Sequence, residues 1–216
     1  MKFYVDTANV DEIKKACRLG IISGVTSNPV LIRKSGTQDV ERRIKDIRDC
    51  IGEGEILTQV IAREEEEIVR QAEIIHRWDA NITVKVPLTL DGIPAISRLS
   101  KMGISTCATV VYDASQALAA AAAGAKYVAM FLNRTNARGL SGFTAMQDII
   151  DSFKIQGLKT QIIAASIDSA YDVLLSTKMG VDIVTAPYVV YEKLIRNDAS
   201  YETVEEFLEG WTGREI

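Results

Sequence analysis

The sequence predicts an α/β fold, a single (β/α)8 barrel followed by one extra helix at the C-terminus. Eight short apolar runs rich in Val, Ile and Thr alternate with amphipathic stretches along the 216 residues. Most amphipathic stretches end at glycine, where a left-handed helix cap is favoured. No linker rich in Pro, Gly or Ser divides the chain. Because apolar parallel strands need helices on their outer face, eight such units fit a closed barrel better than an open sheet.

The apolar runs set the predicted strands, and the amphipathic stretches between them set the predicted helices. The strands are FYVDT at 3–7, GVTSN at 24–28, EILTQVIA at 55–62, ITVKVP at 82–87, STCATVV at 105–111, YVAMFLN at 127–133, TQIIAAS at 160–166 and VDIVTAP at 181–187. The helices are VDEIKKACRLG, DVERRIKDIRDCIG, REEEEIVRQAEIIHRW, TLDGIPAISRLSKMG, DASQALAAAAAGA, FTAMQDIIDSFKIQG, SAYDVLLSTKMG and YVVYEKLIRND. The barrel is predicted to occupy residues 1–199.

A ninth helical pattern follows the barrel at residues 200–216. Val204, Phe207, Leu208 and Trp211 stand at i, i+3, i+4 and i+7 spacing, which forms one apolar stripe. The completed barrel leaves no place for this stripe. It packs either across its own barrel end or onto a neighbouring subunit, and the spacing does not choose between the two.

Composition excludes several classes of function. The net charge is −4 and the basic residues are scattered among acidic ones, so neither nucleic acid nor an anionic membrane is an expected partner. The start MKFYVDTANVDEIKK lacks the apolar core of a signal peptide, and no apolar stretch is long enough to span a bilayer. These features predict a cytoplasmic protein.

The cysteines and the single histidine argue against a disulfide framework and a zinc site. Cys17, Cys50 and Cys107 are widely spaced, and His76 lies in a charged helical stretch that predicts a solvated or partly packed side chain. A histidine-dependent triad or metal centre is therefore not expected. Acid–base chemistry must come from carboxylates, lysine, tyrosine or a positioned water.

Function in a (β/α)8 barrel is expected at the carboxyl ends of the strands. The polar residues predicted there are Asp6, Thr7, Thr26, Ser27, Asn28, Gln59, Lys85, Thr109, Asn133, Arg134, Ser166 and Thr185. Side chains alternate across a strand, so only some of them point into the barrel mouth.

Lys85 is the most informative of these residues because it interrupts an apolar strand between Val84 and Val86. Burial disfavours a charged ammonium, and a neutral amine attacks carbonyl carbon. The alternative is a buried ion pair with Asp6. Asp6 likewise has two interpretations, a proton-transferring carboxylate or the N-cap of the helix that starts near Val10.

Five strings in order along the chain carry a family resemblance. VDTAN at 5–9, GVTSNP at 24–29, VKVP at 84–87, AGAKYVAMFLNR at 123–134 and AAS at 164–166 resemble the small-subunit transaldolase family, which includes fructose 6-phosphate aldolase. The resemblance implies a class I enzyme that needs neither metal nor cofactor. It also implies rings of five subunits stacked into decamers, with the last helix reaching onto a neighbour.

The resemblance assigns roles residue by residue. Lys85 matches the lysine that forms a Schiff base with the ketose carbonyl, and Asp6 matches the proton-transferring carboxylate. Gln59 and Thr109 match the pair that positions a catalytic water. Asn28 matches the amide that binds the hydroxyls of the dihydroxyacetone unit.

The remaining matches lie around the substrate. Arg134 and Ser166 match residues that bind the phosphate of the sugar, with a surface ion pair as the alternative for Arg134. Thr26, Ser27 and Phe131 are predicted to line the substrate pocket. The implied partners are a sugar phosphate or other anionic ketose and an aldehyde acceptor.

The chain combines features of the two activities in the family. At three pocket positions the chain resembles the aldolase. Transaldolases usually carry Glu in place of Gln59 and polar residues in place of Cys107 and Ala129. Phe131, however, replaces a tyrosine of the aldolase, as in transaldolases. Without that hydroxyl the bound carbanion should be protonated less readily, which favours transfer to an aldehyde over release of free dihydroxyacetone.

A second departure concerns the end of the substrate. The family commonly has a basic residue two positions after Ser166, whereas this chain has Asp168. A carboxylate beside a phosphate dianion is costly unless compensated, for example by Arg138. This predicts a singly charged end group, such as the sulfonate of 6-deoxy-6-sulfofructose, or an uncharged polar one.

Two rival functions remain open at this stage. One is a non-catalytic barrel that binds a sugar phosphate, for which the changes at Phe131 and Asp168 are the best support. The other is a Schiff-base barrel aldolase that acts on a deoxysugar phosphate. The complete set of predicted catalytic residues argues against the first, and the VDTAN and GVTSNP strings argue against the second.

Overall fold

The computed structural model describes residues 1–79, 81–211 and 213 and contains a closed barrel of eight parallel strands in chain order, which confirms the predicted (β/α)8 fold. The strands are β1 (Lys2–Asp6), β2 (Ile22–Thr26), β3 (Glu55–Gln59), β4 (Ile82–Pro87), β5 (Thr106–Val111), β6 (Tyr127–Phe131), β7 (Gln161–Ala165) and β8 (Ile183–Ala186). Pairing of β1 with β8 closes the barrel.

Helices connect the strands and cover their outer face. They are α1 (Val10–Arg18), α2 (Pro29–Lys34), α3 (Val40–Ile51), α4 (Glu65–Trp78), α5 (Gly92–Lys101), α6 (Ala114–Ala122), α7 (Leu132–Asn136), α8 (Gly142–Gln156), α9 (Ala170–Met179), α10 (Tyr188–Ile195) and α11 (Asp198–Glu209). His76 lies half-buried on α4, as predicted. Within the described residues no helix has both the length and the apolar composition required to cross a bilayer.

The two short helices α2 and α7 were not predicted. Residues 132 and 133 were assigned to a strand, but β6 ends at Phe131 and the chain turns directly into α7. At α2, Asn28 caps the helix and Pro29 occupies its first turn, a combination that favours helix initiation. Both helices follow strand ends and therefore shape the mouth of the barrel.

Apolar side chains pack in two layers. The larger layer lies between the strands and the helices. The inner layer fills the barrel and consists of Tyr4, Leu57, Cys107, Tyr127, Ala129, Ile163, Ala165 and Ile183. Because these side chains fill the interior of the barrel, the open space of the barrel lies at the carboxyl ends of the strands.

A carboxylate network closes the opposite end of the barrel. Glu55, the first residue of β3, accepts hydrogen bonds from Tyr4 Oη at 2.6 Å and from Tyr127 Oη, Thr83 Oγ1 and Lys126 Nζ, each at 2.7 Å. Burial alone would raise the pKa of Glu55, but these four donors outweigh it and hold the pKa below its usual value. The network therefore forms a charged, fully bonded floor beneath the inner apolar layer.

The C-terminal helix is present, but none of its residues is buried. α11 begins at Asp198, two residues before the predicted start, and ends at Glu209, so Trp211 of the predicted stripe lies beyond it. Residues 212 and 214–216 of the predicted segment lie outside the described residues. Packing of the stripe across its own barrel end is therefore not observed for the described part of the segment.

Candidate active site

A cavity of about 430 Å³ opens at the carboxyl ends of the strands. Lys85, Asp6, Thr26 and Asn28 line it, together with apolar residues of the inner layer. Phe131, Arg134, Ser166 and Asp168 line it as well. The volume lies within the range of small-molecule sites, and the mixture of apolar walls with a few polar groups is typical of them.

Lys85 is buried on β4 and faces this cavity, with 6% of its surface exposed. Its Nζ donates a hydrogen bond to the carbonyl oxygen of Ser27 at 3.0 Å. No carboxylate of the described residues forms a salt bridge with it, so the alternative of an ion pair with Asp6 is wrong. A buried amine with one neutral acceptor is available to a carbonyl compound in the cavity.

Asp6 ends β1 and takes part in a short chain of hydroxyl contacts. Its Oδ1 accepts a hydrogen bond from Thr26 Oγ1 at 2.6 Å, and Thr26 Oγ1 lies 2.6 Å from Thr185 Oγ1. The N-cap of α1 is Asn9, whose side chain accepts from the first backbone N–H groups of that helix. The alternative of Asp6 as the cap is therefore wrong, and its carboxylate lines the cavity.

Asn28 lines the cavity while it caps α2. Its Oδ1 accepts hydrogen bonds from the backbone N–H groups of Val30 at 3.0 Å and Leu31 at 3.1 Å. This fixes the amide plane, and Nδ2 makes no hydrogen bond to the part of the chain that the structure describes. The amide thus presents an oriented donor at the cavity wall.

Ser27 contributes its backbone and not its side chain. The residue is fully buried, and its Oγ lies 3.4 Å from Thr58 Oγ1 on the outer side of the strands. The predicted substrate contact of the Ser27 side chain is therefore not observed. Its carbonyl oxygen, however, orients the amine of Lys85.

Gln59 and Thr109 lie beside the cavity and do not line it. Gln59 is opposite Lys85 in the pairing of β3 with β4, and it lines an adjoining cleft with Val60 and Pro87. Thr109 is fully buried, and its Oγ1 has no hydrogen-bond partner in the described structure. Immediately after it, Val110 adopts φ 65° where the pairing of β5 with β6 shifts register, a bulge of the kind found next to active sites.

Arg134 lies over the Phe131 ring, with 5.2 Å between its Cζ and the ring centroid. No carboxylate of the described chain forms a salt bridge with Arg134, so the alternative of a surface ion pair is wrong. Stacking leaves the edge donors of the guanidinium available to an anion. Arg134 is thus a cation held by an aromatic ring at the cavity.

Arg138 does not line the cavity, contrary to its predicted role in binding an anionic end group. Its guanidinium lies 4.7 Å from the centroid of the Tyr112 ring, and Tyr112 packs edge-to-face on Phe131 at 6.1 Å. Arg138 is exposed and stacks on the Tyr112 ring of this aromatic pair.

Ser166 follows β7 in a left-handed conformation, with φ 57°. Such a conformation costs a residue other than glycine roughly 1 to 3 kcal/mol, and residues of this kind cluster at functional sites. The Ser166 carbonyl accepts a hydrogen bond from the backbone of Asn133 at 3.1 Å, which ties this turn to α7. The turn places Ser166 and Asp168 on the cavity wall with Arg134.

Part of the cavity wall comes from residues that the sequence did not indicate. Val30, Leu31 and Lys34 of α2 line it, although no helix was predicted between 29 and 34. The available signal was the Asn-Pro pair at 28–29, which combines a preferred cap residue with a proline in the first turn.

A buried strand lysine that lines a cavity at the carboxyl ends of a (β/α)8 barrel is the arrangement expected of an enzyme of the class I aldolase and transferase type. The model of the Transaldolase/Fructose-6-phosphate aldolase family matches residues 3–212 of the chain. The chain belongs to this family, and it is a transaldolase-like aldolase.

Curated relatives match over almost the whole chain. A probable transaldolase of Clostridium botulinum (strain Eklund 17B / Type B) is 42% identical over 213 residues, covering 99% of each chain. Probable transaldolase 1 of Listeria monocytogenes serotype 4b (strain F2365) is 40% identical over 211 residues, covering 98% of each. A thiamine phosphate pyrophosphorylase from Pyrococcus furiosus is similar in fold alone, with a TM-score of 0.62 at 18% identity over 86% of this chain and 85% of that one.

Proposed function

We propose that this enzyme forms a Schiff base between Lys85 and an anionic ketose and transfers the dihydroxyacetone unit to an aldehyde acceptor. The observation that carries the proposal is the buried amine of Lys85, which lines the cavity and has no carboxylate partner among the described residues. Family membership supports the reaction class.

The chemistry starts with attack of the Lys85 amine on C2 of the ketose. With one proton taken up, the carbonyl oxygen leaves as water and a protonated imine remains. Asp6 then accepts the proton of the C4 hydroxyl while the C3–C4 bond breaks, and the bonding electrons move onto the imine nitrogen as an enamine. The short hydrogen bond from Thr26 holds the Asp6 carboxylate in place for this step.

Transfer reverses these steps with another aldehyde. The enamine carbon attacks the acceptor carbonyl, Asp6 returns its proton to the new hydroxyl oxygen, and water hydrolyses the imine to free Lys85. The Nδ2 donor of Asn28 is suited to the hydroxyls of the dihydroxyacetone unit throughout. We assign Gln59 and Thr109 to the water that serves imine formation and hydrolysis, and the unpartnered Thr109 hydroxyl supports this assignment.

Transfer is favoured over release of free dihydroxyacetone because the cavity wall is apolar where the enamine would be protonated. Phe131, Cys107 and Ala129 line the cavity, and none of them is a strong proton donor. Burial raises the pKa of the Cys107 thiol to about 12, so this group gives up its proton poorly. The enamine should therefore persist until an aldehyde arrives.

Product analysis tests this function directly. With 6-deoxy-6-sulfofructose as donor, we expect aldehyde release beyond one equivalent per active site to require an acceptor such as glyceraldehyde 3-phosphate, and little free dihydroxyacetone to form. Phe131→Tyr should raise dihydroxyacetone release about tenfold, because a hydroxyl then faces the enamine. Tyr112→Phe is the matched control, since it removes a phenolic hydroxyl from the neighbouring ring, which does not line the cavity. Equal dihydroxyacetone release with and without acceptor would identify the aldolase instead.

We propose a second copy of this chain as the partner of α11. Tyr201, Val204, Phe207 and Leu208 are each more than half exposed on this helix, which is a larger apolar stripe than a free surface helix usually presents. A ring of five subunits, or two such rings stacked into a decamer, accommodates it. Sedimentation velocity should give an oligomer for the wild type and smaller species for the Phe207→Glu, Leu208→Glu double variant, and a wild-type monomer contradicts the proposal.

We further propose that the enzyme acts in the cytoplasm, where its three free cysteines suit a reducing environment.

A further inference from the structure

Lys34 is a cation on the cavity wall to which no role has been assigned above. It is the last residue of α2, it is exposed, and it lines the same cavity as Lys85 and Arg134. Among the described residues it forms no salt bridge. An ammonium that faces a substrate cavity and has no anion of its own is suited to an anion of the substrate.

We propose, on the basis of the transfer function above, that Lys34 binds the anionic end group of the ketose together with Arg134 and determines which end group is accepted. Lys34 is thus a specificity residue of the substrate site. It takes the place of Arg138, which is stacked on Tyr112 outside the cavity.

The geometry of α2 supports this assignment. Asn28, at the start of the helix, faces the cavity where the dihydroxyacetone unit is expected, and Lys34 follows six residues later. That separation corresponds to a rise of roughly 9 Å along the helix axis, a span comparable to an extended six-carbon sugar with its end group. Val30 precedes Lys34 by four residues and also lines the cavity, so both lie on the same face of α2.

Charge balance indicates which end group fits. Lys34 and Arg134 supply two positive charges, and Asp168 on the same wall supplies one negative charge, which leaves a net charge of about +1. Asp172 lies beside Asp168, since its Oδ2 accepts a hydrogen bond from the Asp168 backbone N–H at 3.1 Å, so a further negative charge next to these two carboxylates is unfavourable. A monoanion such as a sulfonate matches this site, whereas a phosphate dianion leaves one charge uncompensated.

The experiment compares Lys34→Gln with the wild type on 6-deoxy-6-sulfofructose, fructose 6-phosphate and fructose. We expect KM for the two anionic ketoses to rise about tenfold more than KM for fructose, with the difference shrinking at high ionic strength. Lys178→Gln is the control, since Lys178 is an exposed lysine of α9 that does not line the cavity. Asp168→Asn should raise the use of fructose 6-phosphate relative to the sulfonate by several-fold.

Trapping with borohydride separates failure of this inference from failure of the proposed function. If dihydroxyacetone forms a reduced adduct on Lys85 but Lys34→Gln behaves like Lys178→Gln, the role of Lys34 is overturned while the transfer function stands. An equal rise in KM for fructose and for the anionic ketoses also overturns it, because it indicates a general change of the site. If the wild type forms no adduct on Lys85, the proposed function itself has failed.

Discussion

Replacing Lys85 with methionine is expected to lower ketose turnover by at least about a thousandfold, because the proposed covalent bond to the substrate forms on its buried amine. Methionine has a similar length and suits the buried site, where the side chain is 6% exposed. The change leaves the carbonyl of Ser27 without its donor, at a cost of about 1 to 3 kcal/mol. The variant should therefore remain folded, which a thermal melt checks.

Mass mapping after borohydride reduction gives the decisive reading for Lys85. The wild type should carry one reduced dihydroxyacetone adduct on the peptide that contains this residue, and Lys85→Met should carry none. Lys178→Met is the matched control, since it removes an exposed lysine and should keep the adduct on Lys85. An adduct on another lysine, or normal turnover without Lys85, contradicts the proposed covalent step.

The barrel was predictable because its signals are local and repeated. Each βα unit carries an apolar run, an amphipathic stretch and, in most cases, a terminal glycine, and Gly157 and Gly180 adopt the expected left-handed caps after α8 and α9. Eight repeats of one local pattern leave little freedom of topology. Strand ends were less predictable, since residues 60–62 continue the apolar pattern of β3 after its pairing has ended.

The orientation of single side chains could not be predicted, because it depends on where a strand ends. Thr26 and Ser27 are adjacent polar residues of one string, yet Thr26 contacts Asp6 in the cavity while Ser27 contacts Thr58 behind the strands. The cap of α1 is likewise set by backbone geometry, which places Asn9 at the N-cap and not Asp6, the residue considered from the sequence.

Contacts between distant loops also could not be predicted from sequence patterns. Arg138 was expected to compensate Asp168 because it lies on the same loop as Arg134, but its guanidinium stacks on the ring of Tyr112 from another loop and does not line the cavity. Lys34 was missed for the converse reason. A helix of six residues gives too weak a periodic signal to show that its last side chain faces the site.

Asp6→Asn is the variant with the second-largest expected effect, a loss of about a hundredfold or more in cleavage and transfer. Asparagine has nearly the shape of aspartate, and its Oδ1 can still accept the hydrogen bond from Thr26. An amide, however, cannot accept the proton of the C4 hydroxyl, so the C3–C4 bond should break slowly. Formation of the ketose adduct on Lys85 needs no such transfer to Asp6 and should persist, which makes the uncleaved six-carbon adduct accumulate under borohydride.

Thr185→Val distinguishes proton transfer by Asp6 from mere positioning. This variant removes the hydroxyl next to Thr26 without changing the carboxylate, and we expect it to lower turnover by less than about tenfold. Single-turnover measurement of aldehyde release from a preformed adduct compares the variants at the bond-breaking step. If Asp6→Asn and Thr185→Val slow that step equally, Asp6 acts through geometry alone and another group accepts the proton. A loss confined to Asp6→Asn assigns the proton to its carboxylate.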